Sequence, residues 1–206
     1  MFILFKYVTT NKPIRIMTSQ TFDEKQGLDI IRKMIDSSRK NYSETAWYFL
    51  IWGWVILAAS LIHYAVIQLQ WTSNPTFVWF GALVMGILYT VIRSIREERS
   101  STNKTFVDYC LAGLWIGSNG IFLITILLGI QFGWYVAFPI FMAVYGWGTF
   151  TSGIILKFRP LIIGGILSFL IAAVSVYVQT EEILLLLALS LVCSYLVPGY
   201  LLKNRK

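Results

Sequence analysis

Uncharged apolar runs follow one another along most of this chain and are separated by short polar segments. Stretches without Lys, Arg, Asp or Glu occur at 46–71, 76–92, 109–156, 161–180 and 183–202. About 20 apolar residues are enough for a helix to cross the hydrocarbon core of a bilayer. The third run is too long for one such helix, and it divides at Gly129-Ile-Gln-Phe-Gly133, where two glycines and a glutamine favour a turn.

The pattern predicts an all-α integral membrane fold, with six transmembrane helices in short antiparallel hairpins, preceded by a cytoplasmic amphipathic helix. The predicted transmembrane domain covers 46–202, with helices at about 46–69, 76–92, 107–128, 134–156, 160–178 and 183–202. Pro160 suits the first turn of the fifth helix, because a backbone N–H has no intrahelical partner there. Pro139 should kink the fourth helix, and Pro198 should bend or end the sixth.

The residues before the first span divide into two parts. The first part is 1–20, and within it residues 1–16 lack the apolar core and cleavage site of a signal peptide. We expect residues 1–20 to be poorly ordered, and Met17 is a candidate translation start. Thr21-Phe-Asp-Glu24 fits a capping box, which predicts a helix over 21–41. Its apolar residues repeat at helical spacing and its charged residues occupy the remaining circumference, so the helix is predicted to lie on the cytoplasmic membrane surface.

This amphipathic helix supplies the candidate contact residues of the sequence. Four basic side chains on it are candidates for contact with anionic lipid headgroups or with a protein partner: Arg32, Lys33, Arg39 and Lys40. Docking of the apolar stripe onto a protein partner, or pairing in a homo-oligomer, is the alternative to burial in lipid.

Composition and charge support the membrane prediction. Apolar residues make up 57% of the chain and charged residues 13%, against about half and about a quarter in soluble domains. The net charge of +7 would suit nucleic-acid binding, but all seventeen Lys and Arg lie before the first span, in the second and fourth loops, or in the basic tail 203–206. This alternation predicts that both termini are cytoplasmic, in a bacterial inner membrane, and that the chain does not bind nucleic acid.

Small residues recur at helical spacing on the third, fourth and fifth helices. In lipid such stripes allow backbones to approach, so we expect these three helices to pack most tightly. The stripes are Gly113, Gly117 and Gly120; Ala143, Gly146, Thr149 and Gly153; and Gly164, Ser168, Ala172 and Ser175.

Groups that could carry chemistry are scarce within the predicted spans. His63 is the one ionisable side chain well inside a predicted span, about two turns from the outer end of the first helix. We expect it to form a hydrogen bond near the membrane interface. Cys110 and Cys193 fall at different predicted depths, so with one histidine they do not make a tetrahedral metal site. The sequence also lacks a Ser/His/acid set and a phosphate-binding glycine loop. We therefore expect no metal, no cofactor and no enzymatic activity.

Two polar residues are predicted near the middle of the membrane. Asn119 lies midway along the third helix, and Tyr145 lies at a similar predicted depth in the fourth. A hydrogen bond between the two helices is the expected role of this pair, because an amide in hydrocarbon needs a partner. A polar binding cavity is the alternative.

The chain resembles a family of six-helix inner-membrane proteins of Gram-negative bacteria. The likeness rests on Thr21-Phe-Asp-Glu-Lys-Gln-Gly-Leu-Asp-Ile-Ile-Arg-Lys-Met-Ile35, on Lys157-Phe-Arg-Pro160 followed by Gly164-Gly165, and on Pro198-Gly-Tyr200. It covers roughly 21–203 and implies a location and a topology, but no activity, cofactor or site residue. The compact helical hairpins alone are also similar to the acid-resistance (HdeD-like) membrane proteins.

Two classes of function are consistent with these features. The favoured class is a membrane-embedded interaction or scaffold protein that contacts membrane lipids, a protein partner or further copies of itself. The alternative is a channel or transporter for a small, mostly uncharged molecule. The scarcity of charge inside the spans disfavours proton-coupled transport and ion pathways lined by charged rings.

Overall fold

The computed structural model describes the backbone of residues 24–71, 75–100, 106–178 and 180–205, and the side chains of these residues except 24–44 and 97–100. The chain divides into two units, Met1–Ser38 and Arg39–Lys206. Helix accounts for 89% of the structure, and the described residues form no strand. The predicted N-terminal segment 1–20 lies outside the described residues.

The described residues form α-helices and one π-helical segment in a simple order. They are α1 (Glu24–Gln68), α2 (Phe77–Ser100), α3 (Phe106–Phe132), α4 (Trp134–Ile155), α5 (Arg159–Ser175), α6 (Ile183–Leu191), the π-helix (Val192–Leu196) and α7 (Val197–Lys203).

Within the described residues, five stretches of helix are long and apolar enough to cross a membrane. They are Thr45–Gln68, Phe77–Arg96, Phe106–Phe132, Trp134–Ile155 and Ile183–Lys203. The predicted fifth span corresponds to α5, whose 17 residues extend about 26 Å, slightly less than the hydrocarbon core of about 30 Å. The prediction of an all-helical chain with several potential spans is confirmed. The count of six spans and their hairpin arrangement stay predictions.

Two helix boundaries differ from those expected from sequence. The amphipathic helix expected over 21–41 and the first span are parts of one helix, α1, because no glycine or proline between Gly27 and Gly53 interrupts it. The turn expected at 129–133 is reduced to Gly133. Its φ of 98° is open to glycine but strained for other residues, so one glycine separates α3 from α4.

The two prolines expected to disturb helices are accommodated in different ways. Pro139 lies within α4, which stays helical to Ile155. Pro198 follows the π-helix, after which the chain returns to α-helix as α7. A wider π turn gives room to a proline ring that would otherwise clash with the carbonyl one turn earlier. The last span therefore continues through Pro198 to Lys203.

Glycines bring the backbones of α4 and α5 into contact, as the small-residue stripes predicted. A Cβ atom at Gly165 would lie 2.7 Å from the Gly146 carbonyl oxygen, and one at Gly153 would lie 2.7 Å from the Ile162 amide nitrogen. Both distances are shorter than a methyl group tolerates. The prediction was wrong for α3, where nothing lies within 4 Å of such an atom at Gly113, Gly117 or Gly120.

The face by which α3 packs consists of different residues. Its buried positions are Leu111, Ser118, Thr125 and Gly129, which form a narrow seam. In the most apolar part of each span, only 17% of the α3 residues and 11% of the α2 residues are buried, against 61% of those in the last span. The centre of the described bundle therefore lies around α4 and the α6–α7 span, and the other faces of α2 and α3 are exposed.

Candidate functional site

Asn119 and Tyr145, the predicted midplane pair, have other partners. The Asn119 amide nitrogen donates a hydrogen bond of 2.8 Å to the carbonyl oxygen of Trp115, one turn earlier in α3, and the side chain is exposed. The Tyr145 ring packs against Phe122 and Tyr195, with centroids 5.2 and 5.5 Å apart. The predicted bond between the two residues is not among these contacts, because Asn119 faces away from the packing seam of α3.

An aromatic cluster fills the interior where Tyr145 lies. We define it as Phe49 of α1, Trp115 of α3, Tyr145 of α4 and Tyr195 of the π-helix. Adjacent ring centroids lie 5.4 to 6.0 Å apart, and all four ring pairs have edge-to-face orientations that favour aromatic attraction. Four helical segments therefore meet on packed rings at this level.

Serine hydroxyls tie the central helices together. The Ser168 hydroxyl of α5 donates to the Met142 carbonyl oxygen of α4 at 2.9 Å and lies 2.6 Å from the Ser190 hydroxyl of α6. Ser60 of α1 donates to the Leu184 carbonyl oxygen of α6 at 2.6 Å. These hydroxyls have partners and are buried, so their arrangement is that of packing contacts between helices.

His63 occupies the hydrogen-bonding role expected from sequence. The indole Nε1–H of Trp79 in α2 donates to His63 Nδ1 of α1 at 2.7 Å. Since Nδ1 accepts, the neutral ring carries its proton on Nε2. The pair joins α1 to α2 near the end opposite to the C-terminus.

A groove on the surface of the bundle lies between the start of α4 and the segment after α5. It has a volume of about 330 Å³ and is lined by Tyr135, Val136, Pro139, Ile140, Val176 and Val178. Because this lining is mainly apolar and has few polar groups, the groove suits a hydrocarbon chain better than a polar solute.

A basic and aromatic group lies at the opposite end of the bundle, where the C-terminus is found. We call it the Trp47 cluster and define it as Trp47 of α1, Arg93 of α2 and Lys203 of α7. The Lys203 ammonium lies 4.1 Å from the centre of the Trp47 ring, and the Arg93 guanidinium carbon lies 5.6 Å from it. Both distances are within the range of cation–π attraction.

Neighbouring contacts extend this basic end. The Arg93 guanidinium is also 5.7 Å from the Tyr48 ring. Arg205 lies 5.3 Å from the Phe158 ring and donates through Nη1 to the Leu156 carbonyl oxygen at 3.3 Å. The aromatic rings thus hold several cations in defined places at one end of the helices.

Sequence reasoning placed these cations but missed the cluster. Arg93 and Lys203 counted only toward the membrane orientation, as two of the seventeen basic residues. The signal that could have found it is the position of all three within one turn of a span end on the same predicted side. The candidates Arg32, Lys33, Arg39 and Lys40 belong to α1, but their side chains lie outside the described ones, so their contacts stay predictions.

The structure also describes both cysteines and the side chains that could act as metal ligands. Cys110 and Cys193 are free and partly exposed. Among the side chains that the structure describes, no group of three or more His, Cys, Asp or Glu could hold a metal ion.

These features define a class, an all-helical chain with several potential membrane spans and a basic, aromatic-lined end. Comparisons with protein-family models, curated proteins and solved structures give no match to the chain. Its resemblance to six-helix inner-membrane proteins therefore stays a prediction, and the fold and contacts above are the basis for functional inference.

Proposed function

We propose that this chain is a non-catalytic interaction or scaffold protein of a bacterial inner membrane, with six spans and both termini in the cytoplasm. The observation that carries the proposal is the aromatic cluster, whose rings fill the space between α1, α3, α4 and the π-helix. Packed rings close the space between these four segments to a solute, which favours a structural role over conduction through their centre.

Exposed apolar faces support the same proposal. Met85 of α2 is 65% exposed and Ile124 of α3 is 59% exposed, and both helices have few buried residues. Lipid covers such faces at little cost, and the same faces are accessible to a transmembrane partner or to a second copy. The basic side chains of the N-terminal helix, including Arg32, Lys33, Arg39 and Lys40, would add contacts with lipid headgroups or a partner.

The test is photocrosslinking in native membranes. A photoreactive amino acid replaces Met85, Ile124 or the similarly exposed Ile163 of α5, each in turn, in a chain coexpressed with a differently tagged copy. A scaffold gives a discrete protein adduct that is strong at one or two of these positions. An adduct carrying both tags identifies the partner as a second copy.

The alternative function has its own readout. Purified protein in sealed vesicles is assayed for flux of small uncharged solutes such as glycerol and urea. Lipid adducts alone at all three positions, together with flux that Tyr195→Ala increases, would contradict the scaffold proposal. That result would favour a channel closed by the aromatic cluster.

A further inference from the structure

The Trp47 cluster brings two cations to one ring from helices that are distant in sequence. Arg93 and Lys203 both lie within 6 Å of the ring centre, so they are within about 10 Å of each other. This separation is comparable to the Debye length at physiological salt, about 8 Å, so an anion near the ring interacts with both charges. Both side chains are partly buried, which limits the positions they can adopt.

The depth of the cluster is set by the ends of three apolar spans. Trp47 is two residues inside the start of the first span, Arg93 is three residues inside the end of the second, and Lys203 ends the last. At about 1.5 Å per helical residue, all three lie within about 5 Å of a span end. Aromatic and basic side chains at such positions reach the headgroup layer of a bilayer.

We propose that the Trp47 cluster is a binding site for the headgroup phosphate of an anionic phospholipid. The Arg93 guanidinium and the Lys203 ammonium supply charge-assisted hydrogen bonds to phosphate oxygens, and the Trp47 ring keeps the two cations in place between α1, α2 and α7. The site rests on the membrane location that the proposed function shares, but not on the scaffold role.

The surroundings of the cluster favour a lipid over a soluble phosphate. Exposed apolar side chains continue from it along both helices, Ile92 of α2 at 51% exposure and Leu201 of α7 at 49%. A phospholipid whose phosphate lies at the cluster can place its acyl chains on these faces. A soluble anion would use the two charges and leave the apolar surface uncovered.

The experiment measures lipid retention by native mass spectrometry of the full chain. Protein in detergent is mixed with equal amounts of phosphatidylglycerol and phosphatidylcholine, and the bound lipids are counted for Arg93→Gln, Lys203→Gln and the double variant. Each lost cation should reduce bound phosphatidylglycerol about fivefold, the factor that corresponds to about 1 kcal/mol per basic residue near a membrane. The matched controls Lys157→Gln and Arg159→Gln, which remove exposed cations near the start of α5 rather than on α1, α2 or α7, should retain normal binding.

Charge-retaining variants guard against loss of folding. Lys203→Arg should preserve phosphatidylglycerol retention, while Trp47→Leu should weaken it with both cations still present. Equal retention of the two lipids, or equal losses in the control variants, would overturn the proposal. Displacement of the lipid by millimolar inorganic phosphate would show that the site takes soluble anions. None of these outcomes depends on the crosslinking that tests the scaffold role.

Discussion

Single polar side chains in the spans satisfy their hydrogen bonds mainly within their own helix. Ser118, Thr125 and Thr149 each donate to the carbonyl oxygen four residues earlier, and Asn119 does the same with its amide. A local acceptor is always available in a helix, and lipid offers no alternative. A polar residue at midplane depth therefore does not by itself predict a cavity or a bond between helices.

This local bonding predicts a small effect of Asn119→Leu. The variant loses a bond within α3 from an exposed side chain, so the free energy of unfolding should change by less than about 1 kcal/mol. A double-mutant cycle with Tyr145→Phe, measured by denaturation in detergent, should give coupling near zero. The control Ser168→Ala breaks bonds to α4 and α6 and should cost about 0.6 to 1.7 kcal/mol. Strong coupling between Asn119 and Tyr145 would restore the direct bond expected from sequence.

The turn that ends α4 contains a residue in a strained backbone conformation. Lys157 has a positive φ of 50°, and the Phe158 amide closes the turn by donating to the Gly153 carbonyl oxygen at 2.8 Å. A side chain in this conformation costs roughly 1 kcal/mol that glycine avoids. Lys157→Gly should therefore raise the unfolding free energy by about 0.5 to 1 kcal/mol, and Lys157→Ala, which keeps the strain, should not. A loss of stability in the glycine variant would contradict this account.

The existence of the helices could be predicted from sequence better than the faces by which they pack. Runs of apolar residues of bilayer length identify a span whatever it packs against. The packing faces are harder to predict, because a stripe of glycines has the same sequence pattern whether it contacts another backbone or lipid. The stripe on α4 and α5 is packed, whereas Gly113, Gly117 and Gly120 on α3 have open space beside them.

Paired alanine substitutions test this difference between glycines. At Gly165 an added methyl group would meet the Gly146 carbonyl oxygen and the Phe150 amide nitrogen, both at 2.7 Å. Gly165→Ala should therefore destabilise the protein by about 1 to 3 kcal/mol, the usual cost of overpacking. Gly117→Ala meets nothing and should be neutral or stabilising by up to about 1 kcal/mol through helix propensity. Thermal unfolding in one detergent compares the two, and equal losses would show that α3 also packs through its glycines.

The alternation of charge along the chain and the tertiary contacts carry different information. The alternation of basic segments predicts which ends of the spans share a side of the membrane. It does not predict that Arg93 and Lys203 converge on Trp47, because that contact depends on how α2 and α7 pack around α1. The aromatic cluster was missed for the same reason, because the contact between Phe49 and Tyr195 depends on the tertiary position of the π-helix that carries Tyr195.

Cysteine labelling can test the orientation of the bundle in the membrane. Since all seventeen basic residues fall in alternate segments, Asn204 should be cytoplasmic and Gln131 should face the opposite side. The background is a chain with Cys110→Ala and Cys193→Ala, because both native thiols are free and partly exposed. In sealed cells an impermeant thiol reagent should label Gln131→Cys and spare Asn204→Cys, and both should react once the membrane is permeabilised. Both positions are exposed, so a difference before permeabilisation reports sidedness rather than burial. Labelling of Asn204→Cys in intact cells would contradict the cytoplasmic C-terminus and would place the Trp47 cluster on the outer face.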